Sequence, residues 1–244
     1  MLLRRSRFML IYFCVFLEII HHINFTMVAF ASEENKIRNI GAEIFRVNSP
    51  YILQGFGCLS FKEIRNSPIR RVCLSDGGDK DDWHDFRILI VPAKGNALEE
   101  KFYSYWEYAY HIVHIPKSEI GIGVPIPYIL LYRVGFVGTN AFSVFLDIYY
   151  VGKNGEAVKR AKTITLSDHY SLELMWWYEV RRSAQKVGDH RYPALALHRY
   201  QDKPGSGSKW DRWEDPSLLP PEDVCLVLAP EGLREQKGQC QPNG

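Results

Sequence analysis

The stretch FSVFLDIYYVGKNGEAVKRAKTITL, residues 142–166, decides the fold of this chain. Two β-type runs flank Lys153-Asn154-Gly155, and Asn-Gly is a strong hairpin signal because both turn residues must tolerate positive φ. Before the turn, apolar side chains alternate on one face: Phe142, Val144, Leu146, Ile148 and Tyr150. After the turn the apolar pattern is looser, and three basic residues are predicted to face water: Lys159, Arg160 and Lys162. The stretch therefore predicts two antiparallel strands with one buried face.

Similar runs lie on both sides of this hairpin. Strand-like segments that are rich in β-branched and aromatic residues, and are separated by Pro-, Gly- or Asn-containing turns, occupy residues 51–61, 69–74, 86–91 and 128–137. Residues 171–183 fit either a strand or a helix. Their Trp-Trp-Tyr run and the matching apolar run at 192–200 favour a second hairpin.

One segment near residues 97–114 predicts a helix. Asn96 and Glu99 have the spacing of a capping box, in which the two side chains satisfy backbone donors of the first turn. Apolar residues then recur at helical spacing: Leu98, Phe102, Tyr105, Trp106, Ala109, Ile112 and Val113. Strands in series with one helix predict an α+β fold that is predominantly antiparallel β, built either as a sandwich or as one sheet.

Residues 1–31 have the pattern of an export signal. A positively charged start precedes an apolar run at 8–17, which has the length of a signal-peptide core and is too short to span a membrane. Ala29-Phe30-Ala31 is a small-x-small cleavage pattern. Glu18 interrupts the apolar stretch, so an uncleaved N-terminal anchor is the alternative. We therefore predict a periplasmic or secreted protein whose mature chain has no membrane span.

The mature chain is predicted to contain a β-rich globular domain at 32–203 and, at 204–244, a Gly/Ser linker with a disulfide-stapled tail that packs on the core. The leader alone carries the net charge of +2, so the rest of the chain is electrically balanced. A balanced chain gives no global electrostatic case for binding nucleic acid or an anionic membrane. We expect a protein partner instead.

Four cysteines follow the leader and form two pairs with the same separation: Cys58, Cys73, Cys225 and Cys240. In an exported chain an even number of cysteines predicts disulfides. Of the three possible connectivities, the local one is favoured, because Cys58 and Cys73 lie on successive strand-like runs. A zinc site is disfavoured, since no pair has the spacing of a zinc knuckle.

Candidate metal ligands occur in two places. The loop at 76–85 combines carboxylates with glycines, which hard cations such as Ca²⁺ favour, and its candidate ligands are Asp79, Asp81, Asp82, His84 and Asp85. The spacing is not that of an EF-hand, so a solvated acidic turn is the alternative. His111 and His114 lie three apart on the predicted helix, a spacing that can place two imidazoles on one metal. We predict no obligatory cofactor, with Ca²⁺ as the ion that the acidic loop would take.

The C-terminal tail supplies candidate partner-binding residues. Trp210, Arg212 and Trp213 follow the linker, and aromatic side chains beside charges are good anchors for a protein or a glycan. The alternative is that the tail folds back and buries both rings.

The sequence contains no nucleophile elbow, P-loop or dinucleotide fingerprint. We therefore favour an exported, non-enzymatic binding or inhibitory protein, for example of the immunity type, that acts through protein–protein contact. One alternative is an exported cation-assisted hydrolase that uses the 76–85 loop. The other is a glycan-binding module that uses Trp210 and Trp213.

Overall fold

The hairpin of residues 142–166 lies in the middle of a large antiparallel sheet. A computed structural model describes residues 51–80, 83–105, 111–116, 124–138, 141–170, 173–201 and 219–241. In it, the two predicted strands pair in antiparallel register, with Leu146 opposite Ile164. The connection spans residues 151–158 and is therefore wider than a two-residue Asn-Gly turn. The sequence pattern thus predicts the pairing correctly but not the size of the turn.

The described residues form thirteen strands in two antiparallel sheets. The large sheet has nine strands, in the spatial order β1 (Ile52–Gln54), β6 (His111–His114), β7 (Tyr128–Gly138), β8 (Ala141–Tyr150), β9 (Lys159–Tyr170), β10 (Glu173–Val187), β11 (His190–Gln201), β12 (Asp223–Ala229) and β13 (Gly232–Lys237). The small sheet has four strands, in the order β2 (Gly57–Ser60), β3 (Ile69–Lys80), β4 (Trp83–Pro92) and β5 (Leu98–Tyr105). The ambiguous segment 171–183 thus contributes to strand β10, which pairs with β11 as the predicted second hairpin.

The prediction of an α+β fold with a helix near 97–114 is wrong. In the described part of this segment both elements are strands, β5 and β6, and the described chain as a whole is all-β. β5 pairs with β4, which places Leu98 opposite Ile90 and Phe102 opposite Phe86. The rings of Phe86 and Phe102 stack with centroids 5.0 Å apart. These cross-strand apolar contacts, which a local pattern does not show, outweigh the helical spacing and the capping-box signal.

One face of the large sheet packs against the small sheet. Fully buried side chains from both sheets form a shared apolar core, which includes Val72, Ile88 and Ile90 from the small sheet and Ile129 and Leu131 from the large one. The chain passes from the large sheet to the small one between β1 and β2, where Gly55 and Gly57 have φ of 76° and 151°.

The opposite face of the large sheet is concave, because strands far apart in the sheet order come into contact. The Tyr128 hydroxyl on β7 donates to the carbonyl of Ala229 on β12 at 2.6 Å. Lys162 on β9 forms an ion pair with Glu235 on β13. Buried apolar side chains fill this concave face, among them Leu130, Leu146, Ile148, Val180, Leu197 and Leu226.

Two disulfides have the predicted local connectivity. Cys58–Cys73 joins residues directly opposite each other on β2 and β3. Cys225–Cys240 joins β12 to the segment after β13.

All described residues belong to one compact unit, Ile40–Gly244. In the part of the chain that the structure describes, no helix is long and apolar enough to cross a membrane. β12 and β13, from the predicted C-terminal tail, are strands of the large sheet. The leader at 1–31 and the linker after residue 203 lie outside the described residues and stay predictions.

Candidate functional site

An open cleft of about 720 Å³ lies where three loops meet. The loops are the β2–β3 connection, residues 61–68, the β4–β5 connection, residues 93–97, and the wide β8–β9 turn, residues 151–158. Phe61 and Ile69, which are 2% and 0% exposed, form its apolar base. An apolar base beneath a polar rim is the general form of a ligand-binding cleft.

Backbone contacts hold the three loops together. The carbonyl of Pro68 accepts from Ala93 N–H, and the carbonyl of Gly155 accepts from Lys94 and Gly95 N–H, each at 2.9 Å. Gly155 has φ of 70°, and a Cβ there would lie 2.4 Å from the Pro68 carbonyl oxygen. Only glycine permits this close approach. The Asn-Gly pair of the central hairpin therefore builds one wall of the cleft.

The rim of the cleft is strongly basic. It carries four exposed cationic side chains: Lys62, Arg70, Lys94 and Lys153. Among the described residues no carboxylate lines the cleft. The carboxylate of Glu156 accepts from the backbone N–H of Asn154 at 2.8 Å and so stays within its own turn. Several cations on one rim, with no carboxylate among the described residues that line it, create a local positive potential that attracts acidic partners.

A separate buried ion-pair cluster joins β7, β8 and β9. Asp147 has no exposed side-chain surface, and Arg133 Nε donates to its Oδ2 at 2.5 Å. The hydroxyl of Thr163 donates to the other carboxylate oxygen. The Arg133 guanidinium also lies over the rings of Phe102 and Phe145, at 4.6 and 4.5 Å. The carboxylate is therefore compensated by a cation and a hydroxyl, which is the condition for burying a charge.

Glu100 on β5 links this cluster to the small sheet. The Tyr149 hydroxyl donates to Glu100 Oε2 at 2.6 Å, and Arg160 Nε donates to the same oxygen at 3.1 Å. Burial and the hydrogen bond to Glu100 raise the pKa of Tyr149, so the phenol stays protonated as the donor. Arg160, predicted to face water, is exposed, with 35% of its side-chain surface accessible, and it also bridges the two sheets. We assign this cluster a structural role.

His114 is a buried ionisable group of the concave face whose pKa is lowered. It is 1% exposed, and its Nε2 lies 2.6 Å from Arg182 Nη2. Since a guanidinium only donates, Nε2 accepts and the imidazole is neutral. Burial, together with the nearby charge of Arg182, lowers the pKa of His114 to about 3. The helical spacing on which a shared metal site with His111 was predicted does not exist, because both residues belong to strand β6.

The predicted acidic metal site lies only partly within the described residues. Asp79 on β3 pairs with His84 on β4, and Asp85 lies opposite Gly78. Asp81 and Asp82 lie outside the described residues. In the part of the chain that the structure describes, no group of three or more His, Cys, Asp or Glu side chains could hold a metal ion. The cation site stays a prediction.

The predicted partner-binding residues of the tail, Trp210, Arg212 and Trp213, also lie outside the described residues, so this surface and the glycan-binding alternative stay predictions. Sequence reasoning missed the basic cleft instead. Lys153 was identified only as a turn residue. Its proximity to Lys62 and Lys94 follows from strand order, and no spacing in the sequence indicates it.

The described residues define an all-β protein with two antiparallel sheets and a basic cleft between three loops. Comparison with protein-family models, curated proteins and solved structures found no match to this chain.

Proposed function

We propose that this protein is an exported, non-enzymatic binding protein that acts through contact with a protein partner, as an immunity-type inhibitor of a secreted toxin would. The basic cleft is its contact site, and an acidic segment of the partner docks there. The observation that carries the proposal is the grouping of four exposed cations around one cleft: Lys62, Lys94 and Lys153 lie on three loops that backbone hydrogen bonds fix to one another, and Arg70 lies at the start of β3.

Charge complementarity is the physical basis for choosing an acidic protein segment. A partner that presents several carboxylates gains attraction to every cation of the rim, and this attraction speeds association and fixes orientation. The loops are already held by backbone bonds, so little ordering entropy is lost on binding. The apolar base of Phe61 and Ile69 would accept a side chain of the same segment.

The two buried polar clusters fit a binding protein better than an enzyme. His114 is a poor general base at neutral pH, because the pKa of its imidazole is about 3 and Nε2 already accepts from Arg182. The Asp147 carboxylate is already engaged by an ion pair with Arg133 and a hydrogen bond from the Thr163 hydroxyl.

Export is compatible with the two disulfides, which persist in oxidising compartments.

The test is binding of a fluorescein-labelled peptide of alternating Asp and Glu, followed by fluorescence anisotropy. The double variant Lys94→Gln/Lys153→Gln should bind at least about threefold more weakly than wild type, since each exposed charge contributes roughly 0.3–1 kcal/mol. Binding by wild type should also weaken when salt is raised to about 0.2 M, because screening acts on exposed charges.

The matched control is Lys101→Gln/Lys186→Gln, which removes the same charge from exposed positions on β5 and β10. This variant should bind the peptide as wild type does. If both double variants lost the same peptide affinity, the loss would reflect overall charge alone. That result would overturn the assignment of the cleft as the binding site. Tighter binding of a DNA oligonucleotide of equal charge would overturn the choice of a protein partner.

A further inference from the structure

Two aromatic residues form a platform on the outer face of the hairpin of β10 and β11. Trp177 and Tyr200 lie directly opposite each other, and their rings stack with centroids 5.6 Å apart. They alternate along their strands with buried side chains of the concave face, such as Val180 and Leu197, and so point away from that face. Tyr200 is 39% exposed, and among the described residues Phe56 is the other large hydrophobic side chain that is comparably open to solvent.

Neighbouring side chains fix the orientation of the Tyr200 ring. Its hydroxyl donates to Glu179 Oε2 at 2.9 Å, and Arg181 Nε and Nη2 donate to Oε1 of the same carboxylate at 2.9 and 2.8 Å. The ring of His198 meets that of Tyr200 edge to face, with centroids 4.7 Å apart. An exposed ring that is already held in one orientation loses little entropy when a ligand covers it.

His198 and Asp223 place hydrogen-bond acceptors at the rim of the platform. His198 Nδ1 lies 2.8 Å from Asp223 Oδ1, and since a carboxylate only accepts, Nδ1 carries the proton. Nε2 of the neutral imidazole is then an acceptor, on a side chain that is 38% exposed. The Asp223 side chain is 23% exposed and carries a second carboxylate oxygen. A ligand with hydroxyl groups beside an apolar face would match this arrangement.

The charges at the rim favour a neutral ligand. Glu179 and Arg181 form an ion pair, so Asp223 leaves the rim with a small negative excess. A nucleotide or another anion would be repelled by this carboxylate. The two platform rings lie within 18° of parallel and stack on each other, so they do not form a cage around an organic cation.

The size of the platform favours a small ligand over a protein. A stable protein interface buries about 800 Å² on each partner and usually contains several large apolar anchors. Here the exposed apolar surface is only two rings wide. A pyranose with equatorial hydroxyls has the matching form, because its C–H groups make an apolar face of about the size of an aromatic ring and its hydroxyls lie at the edge.

We propose that the platform binds a neutral glycan with equatorial hydroxyls, such as a β-1,4-linked glucose chain. The C–H face of one pyranose covers Tyr200 and Trp177, and its hydroxyls donate to His198 Nε2 and to Asp223. The residues of this site lie on β10, β11 and β12 and not on the three loops of the basic cleft. The glycan site therefore does not depend on the protein-binding function.

The test is calorimetric titration with cellotetraose, a neutral chain of β-1,4-linked glucose. Wild type should bind it saturably at one site. Tyr200→Ala removes the exposed ring and should weaken binding about 2- to 12-fold, the range of one aromatic contact. Tyr200→Phe keeps the ring and should retain most of the affinity. His198→Phe keeps a ring beside Tyr200 but removes the acceptor, so it should weaken binding about 2- to 10-fold, the range of one hydrogen bond.

Phe56→Ala is the matched control, because it removes the other exposed aromatic ring. This variant should bind cellotetraose as wild type does. The tetramer of β-1,4-linked glucuronate has the same backbone with added carboxylates, and it should bind wild type more weakly than cellotetraose. Absence of saturable binding, equal losses in Tyr200→Ala and Phe56→Ala, or tighter binding of the glucuronate tetramer or of choline than of cellotetraose would each overturn the proposal.

Discussion

Burial decides the chemistry of His114. The imidazole lies on the concave face and accepts from Arg182, so the protonated form would place two positive charges within hydrogen-bonding distance in a poorly hydrated site. The same residue in an unfolded chain titrates near its ordinary pKa of 6.5. This difference between the two states makes the histidine a probe of stability.

We expect the free energy of unfolding to fall as the pH drops below about 6.5. The pKa of His114 is about 3 in the folded state, so between these values only the unfolded chain binds the proton. Above about pH 6.5 both states are neutral and the effect vanishes. The expected slope from this residue is about 1.4 kcal/mol per pH unit. Urea unfolding of wild type and His114→Gln between pH 6 and 4.5 measures it, and parallel curves would contradict the assignment.

Asp147 shows the second way in which this fold tolerates a buried charge. Its carboxylate stays inside the protein because Arg133 and Thr163 compensate it from neighbouring strands. Removal of Arg133 would leave the buried carboxylate with the Thr163 hydroxyl and with Arg160 Nη1 at 3.9 Å, and breaking a buried pair in this way costs more than the intact pair contributes. We therefore expect the cluster to favour the observed register of β7, β8 and β9, because a shifted register would separate Asp147 from Arg133 and Thr163.

Hairpins were the elements that the sequence predicted best. The alternation in β8 and the matching apolar runs of β10 and β11 depend only on neighbouring residues, so a local pattern contains them. The prediction for β5 was wrong because the helical spacing of its apolar residues is a local pattern. Its pairing with β4, which determines its conformation, cannot be seen in that local pattern. The basic cleft joins residues 62, 94 and 153, whose proximity is set by the whole topology. No local pattern could have shown it.

The two disulfides close loops of equal length, since each joins cysteines separated by 15 residues. In the chain-entropy model, equal loops give equal stabilisation, about 3 kcal/mol each. We expect Cys58→Ala/Cys73→Ala and Cys225→Ala/Cys240→Ala to lower the free energy of unfolding by similar amounts, measured by urea denaturation. A clearly larger loss for the second pair would show that packing of the buried Cys225 side chain dominates instead.

At the scale of the whole molecule, two apolar cores share the same strands. β7 directs Ile129 and Leu131 toward the small sheet and Leu130 into the concave face, and all three side chains are fully buried. β8 does the same with Tyr149 and Ile148. If such a strand unfolds, it removes buried side chains from both cores at once, so neither core can unfold while the other stays intact. This arrangement couples the two sheets mechanically and energetically.

We therefore expect one cooperative unfolding transition for both cores. Ile88→Ala in the small sheet and Leu226→Ala in the concave face each remove a fully buried side chain, at a cost of about 2–5 kcal/mol. Both variants should lower the midpoint of a single calorimetric peak whose van't Hoff and calorimetric enthalpies agree. The control variant Phe56→Ala changes a side chain that is 53% exposed and should shift the midpoint of the transition least. If each core variant moved a different one of two peaks, β7 and β8 would not couple the sheets, and the fold would consist of two independently melting parts.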